Sequence, residues 1–583
     1  MTTTRTAIDP IVLEVLWNRL LSVVNEQQVA LMRTAFSTVV RESQDLACGV
    51  FDTRGQMIAQ SLTGTPGHIN AMATGVRHFL AAYPPDSLRP GDVLLTNDPW
   101  MTAGQINDIT VVTPVFKHDR VVGLFANTCH AADIGGRILS AEAREVYEEG
   151  LRLPIMKLFD QGRINQVLID LVRANVRTPD ETVGDLYAQT ACNDVGARSL
   201  LRFMDEFGLD TIDPLADEIV SRSERAMRHA IRELPNGRYE NETWSDGFEE
   251  PIRIQVAVTI EDEDIFIDFS GSSPQSRRGI NVVLNYTHAY ASFAMKAAVS
   301  PEVPHNEGAF RPVHVWAPSG TILNCEEPAA VASRHLVGHL LPCVIFGALA
   351  QAMPGRLMAG GSEPIWMSVW RGRRRVTREP FTFVLFQCGG AGARAIKDGL
   401  STTGFPSGVA GVPAEVFETL SPCVQYRREL RTDSGGAGTY RGGLGQWTEV
   451  GCLTDEPWTV SGMVDRTRFP GQGLEGGKPG ALGQFQMADG TPLHPKSLIT
   501  LEPGQRVQLN GAGGGGYGDP MQRSPELVLD DVVNEYVSIE AAEREYGVAI
   551  RYRGDPNRLV RTPDLYYIDW DRTQTLRAAA RST

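Results

Sequence analysis

DITVVTPVFKHDRVVGLFANTCH, residues 108–130, decides how the chain is read. Both halves are rich in β-branched residues and alternate as strands do. Lys117-His118-Asp119 lies between them as a polar turn. The pattern predicts a β hairpin with Asp108 at the start of one strand and His130 at the end of its partner. In an antiparallel pair these two positions lie close together across the ladder. An acid and a histidine so placed can hold a divalent cation, or act as base and polariser. A turn aspartate and a strand-end histidine can equally be structural, and the spacing alone leaves that role open.

The segments before the hairpin add candidates. RESQDLACGVFD, residues 41–52, leads into a strand and carries Asp45, while TGTPGHIN, residues 63–70, carries His68. GDVLLTNDP, residues 91–99, reads as a strand ending in a turn, and TNDPWMTAGQIN sets Gln105 one helical turn from Asp108. Asp9-Pro10 predicts an N-cap and first turn for a helix whose apolar residues Val12, Leu16, Leu20 and Val23 recur at helical spacing. Residues 141 to about 234 read as mostly helical. A hairpin follows, IRIQVAVTI and DIFIDFSG around Glu261-Asp262-Glu263. Helices return near residues 286–298 and 336–353.

After about Met358 the chain turns rich in glycine and short apolar runs (MSVW, FTFVLFQ, WTEVGCL, WTVSGMV), which predicts β structure with tight turns. Ser524-Pro525 and Ser538 start two last helices, the second closed by Gly547. The fold class expected is α+β: one large interwoven body with mixed or antiparallel sheets, a helical insert and a Gly-rich β C-terminal part. Its parts are residues 1–240 with the candidate site, 241–357 with the hairpin and buried helix, 358–522 with the Gly-rich β structure, and the helical tail 523–583.

The 583 residues carry a net charge of −15 and 42% hydrophobic residues, enough to bury large cores. That acidity argues against nucleic acid or an anionic membrane as the main partner. The polar start MTTTRTAIDP lacks the apolar core of a signal peptide. LVGHLLPCVIFGALAQAM, residues 336–353, holds His339, Pro342 and Gln351 and reads as a buried helix rather than a membrane span. Eight scattered cysteines with no C-x-x-C pair suggest reduced thiols and a cytoplasmic protein, and Cys129 reads as buried packing before it reads as a nucleophile.

NGAGGGGYGDP, residues 510–520, formally contains G-x-G-x-x-G, but Tyr517-Gly518-Asp519-Pro520 leaves no helix opening on the last glycine. It reads as a tight packed loop, as do QCGGAGAR and DSGGAGTYRGGLG. GLEGGKP follows its lysine with proline, so no familiar ATP motif exists. His335 and His339, at i and i+4 in SRHLVGH, share a helix face without the glutamate of a zincin and read as packing or substrate contact.

RESQDLACGVFD, TNDPWMTAGQINDITVVTPVF, CHAADIGG with EEGLRLPI, IFIDFSGSSPQSRRGIN, DSGGAGTYRGGLG and GGGGYGDP resemble, in this order and over nearly the whole chain, the hydantoinase B family. That family includes the B-type halves of N-methylhydantoinase, 5-oxoprolinase and caprolactamase, and related subunits of acetone and acetophenone carboxylases. The resemblance implies a metal site in which an H-x-x-D aspartate falls on Asp108, a distal histidine on His130 and an upstream aspartate on Asp45. The first histidine of the motif falls on Gln105, a departure: a neutral oxygen replaces an imidazole. The ligand set implied is Asp45, Gln105, Asp108 and His130, for zinc, manganese or magnesium, and Gln105 leaves open a site that works without metal. A glutamine there should favour zinc less, and Gln105→His should raise zinc retention. The catalytic set implied is Asp45, His68, Asp108 and His130.

The resemblance also implies a divided reaction. An A-type partner binds ATP and phosphorylates an amide or enolate oxygen, and the B-type chain hydrolyses or carboxylates the activated species. The function expected is the B-type catalytic subunit of a heteromeric ATP-dependent cyclic-amide hydrolase, opening a hydantoin, oxoproline or lactam ring. A ketone carboxylase subunit and a non-catalytic scaffold are the alternatives. The partners expected are the A-type subunit, an optional small third subunit and a small-molecule substrate, with the subunit pair duplicated about a two-fold axis.

Overall fold

The computed structural model describes residues 9–555, 557–558 and 561–580. The polar start read at residues 1–8 lies outside them. The first helix, α1 (Pro10–Thr34), begins where Asp9 accepts from the backbone N–H groups of Ile11 and Val12 at 2.9 and 3.2 Å. Its buried face runs through Leu13, Leu16, Leu20 and Val23; Val12, expected on that face, is exposed. The short α2 (Thr38–Arg41) leads to β1 (Leu46–Phe51) and β2 (Met57–Gln60), and α3 (Pro66–Ala82) to β3 (Val93–Thr96). The expected hairpin follows as β4 (Asp108–Lys117) and β5 (Arg120–His130). Its turn is tight because His118 and Asp119 both adopt positive φ, 50° and 61°, as a two-residue type I′ turn requires. The ladder pairs Asp108 with His130 directly.

These strands join a seven-stranded sheet in the order β2-β1-β5-β4-β3-β6-β7, all antiparallel. Here β6 (Met156–Asp160) and β7 (Arg163–Ile164) correct the helical reading of residues 141–234. Gly150 and Pro154 interrupt any helix, and a turn at Gln161-Gly162 with positive φ folds the pair onto β3. Helices then follow as expected: α4 (Gln166–Asn175), α5 (Pro179–Glu206) and α6 (Asp213–Arg232). The period of two in a strand sorts the sheet's side chains. Leu46, Cys48 and Val50 pack with α1 and α5, while Ala47 and Phe51 pack with α3 on the other face.

A four-stranded sheet comes next. It holds β8 (Gly237–Ser245), which sequence reading missed, the expected hairpin β9 (Ile252–Glu261) and β10 (Asp264–Asp268), and β11 (Val313–Trp316), parallel to β10. The buried helix α7 (Leu284–Val299) precedes the short α8 (Glu307–Phe310). The apolar segment 336–353 is two helices, α9 (His335–Gly338) and α10 (Leu341–Leu349), not one. Pro342 stands at the start of the second, where a missing N–H costs nothing. Both are buried, and among the described residues no helix is long and apolar enough to cross a membrane.

The apolar runs after Met358 become strands Trp366–Arg373, Pro380–Gln387, Gln446–Cys452 and Trp458–Met463, in two further four-stranded sheets around one aromatic core. The three glycine loops pack on one another as read. Gly390 donates to Ala512 O at 3.1 Å, Gly443 to Ala391 O at 2.8 Å and Gly436 to Gly514 O at 2.8 Å. A Cβ on Gly442 would collide with Gly514 O, and one on Gly514 with Ala391 O, so only glycine lets these backbones meet. The tail helices Pro525–Val533 and Ile539–Tyr546 are capped by Ser524 and Ser538, and Gly547 closes the second in the left-handed region. All eight cysteines are free.

Candidate functional site

Sheet register places Asp108 and His130 side by side, and three further segments bring charge to them. His130 Nδ1 lies 2.9 Å from Asp108 Oδ1, and His68 Nε2, from the first turn of α3, lies 3.0 Å from Oδ2. Asp45, just before β1, accepts from Thr65 Oγ1 at 3.0 Å and lies 3.6 Å from His68 Nδ1. All four expected catalytic residues are therefore in one cluster. The fifth member, Arg334, was not among the residues expected from the sequence. Arg334, from the residue before α9, donates through Nη2 to Asp108 Oδ2, through Nη1 to Gln105 Oε1, and through Nε to Ala103 O at 2.7 Å.

Glycines make room for this guanidinium. Gly104, at φ +82°, sits where a Cβ would come within 3.0 Å of Arg334 Cδ. Tyr286, on α7, lies under the guanidinium at 4.2 Å from its ring centre, a cation–π contact. A Cβ on Gly67 or Gly338 would collide with that ring, so α3 and α9 clamp it from both edges. Arg334 itself is 3% exposed.

The electrostatics follow. Burial would raise the Asp108 pKa, but the Arg334 charge and His68 hold it well below the ordinary range. Burial opposes protonation of His68, yet Asp108 and Asp45 together raise its pKa. His335 is pushed down to about 3 by burial and by Arg334, and His339 well below its ordinary value, so both are neutral. Burial lifts the Tyr286 hydroxyl to about 12 and the Cys129 thiol well above its usual value, which leaves Cys129 a packing residue.

A cavity of about 30 Å³ opens at this cluster, lined by Asp45, His68, His130, Arg334, His335 and His339 and closed by Phe386 and Val409 from the Gly-rich part. Several buried imidazole atoms here have no hydrogen-bond partner: His130 Nε2, His68 Nδ1, His339 Nδ1 and both nitrogens of His335. Buried polar groups are nearly always satisfied, so this concentration marks a place for a polar ligand. A larger cleft of about 660 Å³ lies beside Asp98 and Arg152, whose charges are paired with each other. The small cavity is the better site for its convergent unpaired groups, and at about 30 Å³ it has room for about one water.

The implied metal set does not fit a divalent cation. The Asp108 carboxylate already accepts from His68, His130 and Arg334. Gln105 gives its oxygen to Arg334 and donates its amide to Ala332 O at 2.8 Å. His130 turns Nδ1 to Asp108 rather than converging with it on a common point. Among the described residues no three His, Cys, Asp or Glu side chains are grouped to hold a metal ion.

Comparison with known proteins gives the same ancestry as the motifs. The family model Hydantoinase B/oxoprolinase matches residues 9–520. Caprolactamase subunit beta of Pseudomonas jessenii is 33% identical over 575 residues, covering 94% of this chain and 97% of that one. The crystal structure of ATP-dependent caprolactamase from Pseudomonas jessenii superposes with a TM-score of 0.89 at 29% identity, over 98% of this chain and all of that one. A nucleotide-free acetone carboxylase structure has a TM-score of 0.87 at 20% identity, over 98% of this chain and 83% of that one, which shows a shared fold.

Proposed function

The chain belongs to the hydantoinase B/oxoprolinase family, and from that premise we propose that it is the B-type catalytic subunit of an ATP-dependent cyclic-amide hydrolase. An A-type partner activates the ring oxygen with ATP, and this chain carries the water step. The single observation that supports this reading most is His130. Its Nδ1 is engaged by a buried, ionised Asp108, and its Nε2 faces the cavity without a partner. That is the arrangement of an oriented general base. Water adds to the carbon that bears the phosphorylated oxygen and its proton passes to Nε2; that proton goes to the ring nitrogen as the C–N bond breaks, which leaves an acyl phosphate that a second water hydrolyses to carboxylate and inorganic phosphate. Asp108 lies behind the cavity wall and acts as a positioning residue. His68, with its raised pKa, and Arg334 line the cavity and face the phosphorylated oxygen, whose phosphate carries the negative charge they stabilise.

The test is an assay of the chain assembled with an A-type subunit, ATP and a panel of lactams, hydantoins and oxoproline. We expect one ring class to stimulate ATP turnover, and His130→Ala and Asp108→Asn each to lower it about a hundredfold or more. ATP turnover that no cyclic amide stimulates would count against the hydrolase. Bicarbonate-dependent consumption of acetone or acetophenone would move the chain to the carboxylases, and full activity in both variants would make it a scaffold. The partnership is tested by size-exclusion chromatography of co-expressed chains, where a lone active monomer would end it.

A further inference from the structure

We propose that the Arg334 guanidinium is the resident positive charge of this site, standing where a divalent cation would sit between Gln105, Asp108 and His130, so that the chain works without a metal there. The inference rests on the family reading above for where the cation would be expected, and on the geometry for what replaces it.

Three observations carry it. The guanidinium makes one bond to Gln105 and one to Asp108, the two residues of the motif that would both have been ligands. It is fixed on its other sides by the Ala103 carbonyl and by the Tyr286 ring, so it is built in rather than swung in. Gln105 is matched to this partner in a way a histidine would not be. Its oxygen meets the guanidinium while its N–H meets Ala332 O, and the amide is satisfied at both ends. The departure from histidine at 105 and the arginine at 334 thus form one device.

Charge balance points the same way. Asp45 and Asp108 face the cationic Arg334 and the His68 ring, which lies 3.6 Å from Asp45 and 3.0 Å from Asp108. A divalent ion added here would meet a fixed positive neighbour on the very oxygens it needs. Arg334 keeps the electrostatic task of a metal, since its three bonds use three of its five N–H groups and it lines the cavity.

The family resemblance implies that Gln105→His would raise zinc retention. With Arg334 in place that single change is not sufficient. The experiment measures metal content by mass spectrometry on the purified chain after dialysis against zinc or manganese and a chelator wash, with thermal melting as the check on folding. Wild type and Gln105→His are expected to retain far less than one ion per chain. Gln105→His combined with Arg334→Asn is expected to approach one. Stoichiometric, chelator-resistant metal in the wild type that His130→Ala removes would overturn the proposal. So would a folded double variant that takes up none. The wild-type measurement depends on no variant's folding, and none of these readings needs turnover. Failure of the hydrolase reading therefore leaves this result standing, and the reverse.

Discussion

Glu149 shows how far a single buried group reaches into this site. Its Oε1 accepts from the N–H groups of Val331 and Ala332, both at 2.7 Å, and so fixes the segment that delivers Arg334. Burial lifts its pKa from 4.5 to about 8. The unfolded chain releases that proton near 4.5 while the native acid holds it to about 8, so the native state binds the extra proton between these values. Stability therefore falls as pH rises through that window, by at most roughly 1.4 kcal/mol per pH unit. Glu149→Gln keeps the acceptor and removes the proton. Urea unfolding across the same pH range is expected to show a flatter profile for the variant, and greater stability than wild type at the alkaline end. At this scale the sequence was legible where local geometry rules. Asp108 and His130 could be paired because a hairpin fixes which residues face each other. Arg334 and Tyr286 could not, since more than 200 residues of chain separate Arg334 from the Asp108 it bonds. The available sign was an arginine and two histidines in a run otherwise apolar enough to be buried.

The β4–β5 hairpin carries its two jobs at opposite ends. One end holds the charged cluster; the other is the His118-Asp119 turn, where two non-glycine residues adopt positive φ. Asn and Gly suit those positions better, because left-handed backbone is costly for most side chains. The pair His118→Asn and Asp119→Gly is expected to stabilise the chain by about 1 kcal/mol and to leave cyclic-amide-stimulated ATP turnover unchanged. Denaturant midpoints and the coupled assay check both halves. Hairpins and capped helices were read well because their signals are local: Asp9-Pro10, Ser524-Pro525, the Glu261 turn. Strands β6, β7 and β8 were missed for the opposite reason. The pair β6 and β7 gains its place only by docking on β3, and β8 is a mostly polar strand whose alternation is visible chiefly once β9 lies beside it.

At the scale of the whole molecule, the cavity lies between parts that are distant in sequence, with walls from α3, β5, α9 and the strands at Trp366–Arg373 and Pro380–Gln387. One interwoven body, read from a chain without repeats or low-complexity linkers, is the architecture that makes such a site possible. The glycine bundle sets the order in which that body can be completed. It ties residues near 360 and 390 to those near 440, 475 and 515 through backbone bonds. During synthesis the strands that close the cavity leave the ribosome long before their last glycine partners do. Pairings this far apart in sequence form late and slowly. Until then the apolar strands at 366–387 stay uncovered, and the cavity has one wall missing. In a series of stalled nascent chains, protease protection of residues 366–387 is expected to rise sharply only once residue 517 has cleared the exit tunnel. The same loops that look like nucleotide-binding motifs thus set the order in which the final third of the chain is assembled.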